Sequence, residues 1–259
     1  MIDATAFVGR WPFYPEAHGD AASLLAMMQE QGIERALVSP LGSVFFKDPE
    51  EGNEELWRAV EVAKGCLLPV PCVDPTYPGW RRTLERSLEQ GALGIRLYPN
   101  YHSYAVNGEV ARALAAECGA RRLLLMVTMR LQDERQHHRA ARLAAVKVAE
   151  VAELARYGEG GTRLVVSFAR LGEILALVRL LPSERLPWCD VAGVQGPEKM
   201  WEQLTSAGMG HRLLFGSGWP LQYETVGAAK VKLMAMTQET REQVLHRNAL
   251  ELLGTCGAK

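Results

Sequence analysis

Short apolar runs alternate with amphipathic stretches along the whole chain, and a glycine commonly stands between them. The apolar runs hold four to seven residues, lean towards Leu, Val and Ile, and do not alternate strictly with polar positions. That is the pattern of strands buried on both faces, as parallel sheets require. It predicts eight strands, within IDATAFV, RALVSP, CLLPVPC, LGIRLY, RLLLMVT, RLVVSF, RLPWCDV and RLLFGS. Between them the 3.6-residue period predicts helices: from Asp20 to Gln31, from an Asn53 cap through Leu56 and Val60, and through Leu84 and Leu88. Two more run from Val110 to Cys118 and from Arg139 to Tyr157. Gly32, Gly65, Gly91, Gly119, the cluster Gly158, Gly160 and Gly161, and Gly210 stand before strands. A left-handed residue commonly stops a helix, and glycine adopts that conformation without a steric penalty.

Eight strands alternating with helices is the count of an α/β (β/α)8 TIM barrel. A doubly wound open sheet fits the same alternation. No linker rich in Pro, Gly or Ser divides the 259 residues, so residues 1–259 are read as one domain. The longest irregular stretch, Gly9 to Gly19, follows the first strand and is expected to cover part of a barrel mouth.

Charge and composition narrow the classes. A net charge of −1 gives no field that would draw the chain to nucleic acid or to an anionic membrane. No run approaches eighteen apolar residues, so no membrane span is expected. The start, MIDATAFVGRW, does not read as a signal peptide. Five cysteines, at 66, 72, 118, 189 and 256, show neither a C-x-x-C pair nor finger spacing, and read as small apolar residues in a reducing compartment. A cytoplasmic protein is the expectation. The apolar run LAAVKVAEVAELA would suit a dimer contact. No glycine-rich phosphate loop is present, so no nucleotide cofactor is expected.

In a barrel, chemistry gathers at the carboxyl ends of the strands. There the chain delivers Thr5, Phe7, Arg10 and Trp11, then Ser39, Asp74, Arg96, Tyr98, Asn100 and His102. Thr128, Arg130, Ser167, Asp190, Ser217 and Trp219 follow. Arg96 alternates with Ile95 and Leu97 and would point inward, either as a carboxylate anchor or paired with Asp3 or Asp74. His102 is the best general acid or base in the loop GIRLYPNYHSY, with Tyr98 beside it, against the plainer reading of a solvated histidine. Asn100, Arg130, Arg10 and Trp219 would complete a binding surface. The run RLQDER reads either as an internal salt network or as a second anion site, with Arg130 and Arg135. Asp3, inside an apolar strand, is expected to bond a basic group or backbone amides. His18, His211 and His246 read as surface positions, and His137 and His138 as a solvated helix start.

The N-terminal ID, GIRLYPNYHSY, LLFGSGWP and the closing HRNALELLG together resemble the amidohydrolase-related (amidohydrolase 2-like) family of TIM-barrel metal-dependent hydrolases. The resemblance implies one or two divalent metals held by D-x-H-x-H on the first strand, histidines on the fifth and sixth, and an acid in G-S-D-x-P on the eighth. Here Thr5 and Phe7 stand at the two histidine positions, the strand ends read MVTMR and VVSFAR, and Gly218 stands at the acid. Phe and Gly offer no lone pair to a cation. The expectation is a barrel without the usual metal site and without a cofactor, acting as a hydrolase on a small carboxylated lactone, ester or amide. The alternative is a catalytically inactive barrel that binds a ligand or a partner.

Overall fold

All seven residues of strand β1, Ile2–Val8, are buried, as a strand covered on both faces must be. The computed structural model describes residues 1–13, 19–133, 135, 138, 143–157, 162–195, 199–222, 229, 231 and 236–254. In it β1 is followed by α1 (Ala21–Gln31), β2 (Arg35–Pro40), α2 (Pro49–Val62), β3 (Leu67–Pro69), α3 (Trp80–Glu89) and β4 (Gly94–Leu97). Next come α4 (Glu109–Ala120), β5 (Leu124–Thr128), α5 (Val148–Tyr157), β6 (Arg163–Ser167), α6 (Leu171–Leu180), β7 (Trp188–Asp190), α7 (Met200–Ser206) and β8 (Leu213–Leu214). A last helix runs Gln238–Glu242, passes through a π-helical turn at Gln243–Arg247, and ends as Asn248–Gly254.

The strands pair in parallel, in the orders β1-β2-β3 and β4-β5-β6-β7-β8. Single backbone bonds join the two sheets into a ring. Leu93 N donates to Pro69 O at 3.0 Å and Arg96 N to Pro71 O at 2.9 Å, which ties β3 to β4. Ala4 N donates to Phe215 O and Gly218 N to Thr5 O, each at 2.8 Å, which ties β8 to β1. The fold is the expected (β/α)8 barrel.

Strand alternation sorts the side chains. Ala36, Val38, Ile95, Leu97, Leu125, Val127, Leu164 and Val166 join the core that the helices cover. Inside the ring, Ile2, Ala4, Leu37, Val70, Leu124, Met126, Val165 and Leu214 form an apolar floor, closed by Ala249 and Leu252 of the last helix. Two residues further along the strands the interior turns polar, at Ser39, Thr128 and Ser167. Beyond that it turns aromatic, with Phe7, Trp11, Tyr98 and Phe168 packed together.

Several elements differ from the sequence reading. Asn53 does not cap α2. Asp48 does, accepting from Glu50 N at 3.0 Å, with Pro49 at the first helical position. Proline has no N–H to lose there, and its fixed φ suits the first turn. Gly119 lies within α4, and Arg122, at φ 56°, takes the left-handed turn instead. The same position before β8 belongs to Gly208, at φ 81°, rather than Gly210. The helix expected from Arg139 begins only at Val148, and residues 143–147 carry no helix. Val146, just before it, and Val151, Ala152 and Leu154 on one face of it are buried in the core that covers the barrel. His18, Glu134, His137, residues 139–142, the glycines at 158, 160 and 161, and Cys256 lie outside the described residues.

Candidate active site

The polar layer contains one guanidinium and two carboxylates. Arg96, from the middle of β4, is fully buried. Its Nε donates to Ser39 Oγ at 2.7 Å, Nη1 to Thr128 Oγ1 at 3.1 Å, and Nη2 to Met126 Sδ at 3.5 Å. Its Cζ lies 5.0 Å from the centroid of the Phe7 ring, a cation–π contact. Every one of these partners is uncharged. Neither Asp3 nor Asp74 pairs with it. Burial lowers its pKa, and the negative charge of Asp190 and Asp3 opposes that shift from a distance.

Asp3 takes the backbone-amide alternative. Its Oδ1 accepts from Thr5 N at 2.9 Å and from Ser217 N at 3.0 Å, across the β1–β8 seam. Its Oδ2 is buried without a partner among the described residues. Desolvation raises its pKa from 3.8 to about 6, against the lowering effect of the Ser217 and Thr5 bonds. Asp190 is fully bonded: Oδ1 accepts from Phe168 N and Ala192 N, and Oδ2 accepts from Thr5 Oγ1 at 2.5 Å. Thr5 Oγ1 also lies 3.3 Å from Ser167 Oγ.

The remaining sequence candidates fall in different places. Tyr98 is fully buried, and its hydroxyl donates to Pro40 O at 3.1 Å. Burial pushes its pKa far above 10, so it keeps its proton. His102 places Nε2 3.1 Å from Ser43 O, and its Nδ1 is buried without a partner among the described residues. Burial lowers its pKa, with Asp74 and the Ser43 carbonyl opposing, so the ring is neutral near pH 7. Asn100 donates to Ala144 O at 3.1 Å, and its Oδ1 has no partner among the described residues. Trp219 packs in the core shared by barrel and helices, with its indole Nε1 unpartnered. Arg10 is exposed beyond the end of β1. Arg130 donates to Phe168 O at 2.8 Å and grips Glu173 through both terminal nitrogens. Asp133 pairs with Arg135 and lies 3.8 Å from Arg170, the internal salt network that RLQDER allowed. Ser217 Oγ accepts from Trp219 N at 3.1 Å and stabilises the turn after β8.

Glu173 went unread in the sequence, and Asn53 was expected as a cap rather than as the partner of the Cys72 backbone. Glu173 lies beyond α5 and β6 from Arg130, 43 positions along the chain. For Asn53, the Asp48-Pro49-Glu50-Glu51 start of α2 was the available signal.

The arrangement does not fit a divalent ion. Asp190 and one oxygen of Asp3 are committed to protein donors, and the other groups are hydroxyls, a thioether and a fixed cation. Gly218, where the acid would stand, has φ 70°, and a Cβ there would come 3.0 Å from Phe168 Cζ. Among the described residues no three His, Cys, Asp or Glu side chains gather as a metal-holding group.

A family model described as amidohydrolase matches residues 10–255. The chain belongs to the amidohydrolase family. No curated protein matches it in sequence. Among solved structures, 5-carboxyvanillate decarboxylase from Sphingomonas paucimobilis superposes with a TM-score of 0.77 at 13% identity, covering 98% of both chains. A probable 2-pyrone-4,6-dicarboxylic acid hydrolase from Acinetobacter baumannii, with citric acid bound, gives 0.72 at 16% identity, again over 98% of both. A dihydroxybenzoic acid decarboxylase from Polaromonas sp. JS666, with bound manganese and 2-nitroresorcinol, gives 0.73 at 14% identity over 99% and 97%. At such identities these amidohydrolase-like structures establish the barrel and not the reaction.

Proposed function

We propose that the barrel mouth of this amidohydrolase binds a small carboxylated molecule through Arg96, and that no divalent ion takes part. The supporting observation is a guanidinium buried among neutral partners. Removing such a charge from water costs several kcal/mol unless an anion compensates it. A bound carboxylate supplies that compensation, since its two oxygens match the planar fork. Two buried donors beyond the strand ends, Trp11 Nε1 and Tyr104 Oη, also lack a partner among the described residues. Native proteins leave few such atoms, and a ligand or water normally completes them. Carboxylated molecules also appear in the names of the structural neighbours, which favours the same class here.

A second reading, hydrolysis of a lactone, ester or amide without a metal, rests on His102. Its neutral ring, with one nitrogen near Ser43 O and the other unpartnered, has the form a general base requires.

Titration of citrate, benzoates and aliphatic dicarboxylates into the full chain tests the first reading, comparing wild type with Arg96→Met. Saturable binding lost in the variant supports it. Binding that survives in Arg96→Met, or that requires stoichiometric zinc or manganese, overturns it. A hydrolysis screen with His102→Gln tests the second, which fails if no substrate turns over or the variant turns over unchanged.

A further inference from the structure

At the opposite end of the barrel lies a cleft of about 290 Å³, at the small end of the range for ligand sites. It opens between the starts of β5 and β6, the last turns of α5, and the segment from Glu184 to Trp188 that enters β7. Three arginines line it: Arg163 at the first position of β6, Arg185 before β7, and Arg212 before β8. Among the described residues that line it, Glu184 is the one acid. Arg163 Nη1 reaches the Arg122 carbonyl at 3.3 Å. The Arg212 guanidinium lies over the Trp188 ring, with Cζ 4.8 Å from the centroid. Its Nε is buried and has no hydrogen-bond partner among the described residues.

We propose that this cleft is a second binding site, for a small aromatic or otherwise flat molecule carrying an oxyanion, either carboxylate or phosphate. Two features support the oxyanion. Arginine forks pair bidentately with two oxygens of either group. A buried guanidinium N–H without an acceptor is also costly, and a ligand oxygen would satisfy it. Leu164, Leu186 and Pro187 supply an apolar wall for the flat body. The Trp188 stack holds the Arg212 plane in place, so little side-chain entropy is lost on binding. Chemistry in TIM barrels sits at the other end, so this site serves binding rather than turnover.

The test follows the indole N–H of Trp188 by NMR in the full-length Arg96→Met protein, which removes the anchor proposed at the mouth. The resonance is assigned with Trp188→Phe. Probes are inorganic phosphate, phenyl phosphate and benzoate, with neutral benzamide as control. Saturable shifts with phenyl phosphate or benzoate are expected, and the tighter of the two names the oxyanion. Benzamide should give none. Arg212→Gln should weaken binding about tenfold, the loss expected for one charge-assisted bond. Arg185 is exposed, so Arg185→Gln keeps the test usable if Arg212→Gln fails to fold, and it should weaken binding in the same direction. Absence of a saturable shift, equal binding of benzamide, or undiminished binding in the arginine variants would overturn the proposal.

Discussion

Arg130 donates from Nη1 to the carbonyl oxygen of Phe168 at 2.8 Å, and Phe168 is a phenylalanine held at φ 58°. Non-glycine residues enter that left-handed region at a cost of order 1–3 kcal/mol, and keep it only where their surroundings hold them. Phe168 is held from both sides, since its N–H donates to Asp190 Oδ1 at 3.2 Å. The outcome is a ring whose centroid lies 5.9 Å from that of Phe7, above the buried Arg96. Arg130 therefore shapes the aromatic cap and is not a free anion receptor. Arg130→Met removes the tether and leaves Glu173, among the described residues, only the Arg170 backbone N–H, at 2.8 Å. Because Glu173 is partly exposed, the expected loss is about 2–4 kcal/mol, near the lower end for a broken buried pair. Urea unfolding measures it. A loss below about 1 kcal/mol would show that Phe168 holds its backbone without Arg130.

Asn53 joins a helix to a strand end. Its Oδ1 accepts from Cys72 N at 2.8 Å and its Nδ2 donates to Cys72 O at 2.9 Å. Both Cys72 groups are buried just beyond β3, where an isolated parallel bridge pairs Cys72 with Arg96 of β4. Asn53→Ala leaves two buried backbone groups unsatisfied, at about 1–3 kcal/mol each. A loss of roughly 2–5 kcal/mol is expected by urea unfolding. Asn53→Asp keeps the acceptor and loses the donor, so its loss should come mainly from the Cys72 carbonyl and the newly buried charge. Near-native stability in both variants would mean that solvent reaches Cys72.

Much of the barrel could be read from the chain, because its signal is repeated eight times. Each apolar run gave a strand and most helices fell where the period placed them. Arg96 was expected to face inward, and it does. The elements misread were those set by tertiary contacts. Asn53 has the residue type of a cap, but a strand end captures it. The stretch before Val148 has helical composition, but residues 143–147 carry no helix, and Val146 is buried with its N–H bonded to Met129 O. The site was harder to read. Sequence order brings Asp3 and Ser217 no closer than 214 positions, so their contact exists only once the ring closes. Nor could the sequence show that Arg130 would be held by Glu173, 43 positions on.

Asp3 gives the protein an acid-range signature with a sign opposite to the usual one. Its carboxyl binds a proton more tightly when folded, with a pKa raised by desolvation from 3.8 to about 6. Below pH 4 both folded and unfolded forms carry the proton. Between about pH 4 and 6 the unfolded form has lost it and the folded form keeps it, so stability falls as pH rises across that window. Above pH 6 the effect is constant. At about 1.4 kcal/mol per pH unit the window is worth roughly 3 kcal/mol. Asp3→Asn retains the acceptor for Thr5 and Ser217 and abolishes the slope. The stability difference, variant minus wild type, should therefore grow from pH 4 to pH 6 and then level off. A difference that is flat across pH 4–6 would mean that Asp3 titrates as an exposed acid.

Arg96 lies beneath the aromatic cap, and that position sets the kinetics expected of its ligand. Trp11, fully buried, has its ring centroid 5.1 Å from that of Phe45 and 6.0 Å from that of Tyr101, and it joins Phe7, Tyr98 and Phe168 in one apolar cluster. A carboxylate reaches the guanidinium only when this cluster parts, so association should be slower than the diffusional ceiling of about 10⁸–10⁹ M⁻¹s⁻¹. Trp11→Ala removes the largest side chain of the cap. It should raise the association rate, while Arg96→Met should abolish binding at any rate. Stopped-flow mixing with the best ligand from the panel separates the two effects. If Trp11→Ala accelerates dissociation and leaves association unchanged, the indole contacts the ligand rather than barring its entry. Equal association rates near the diffusional range in both proteins would place the ligand outside the cap, away from Arg96.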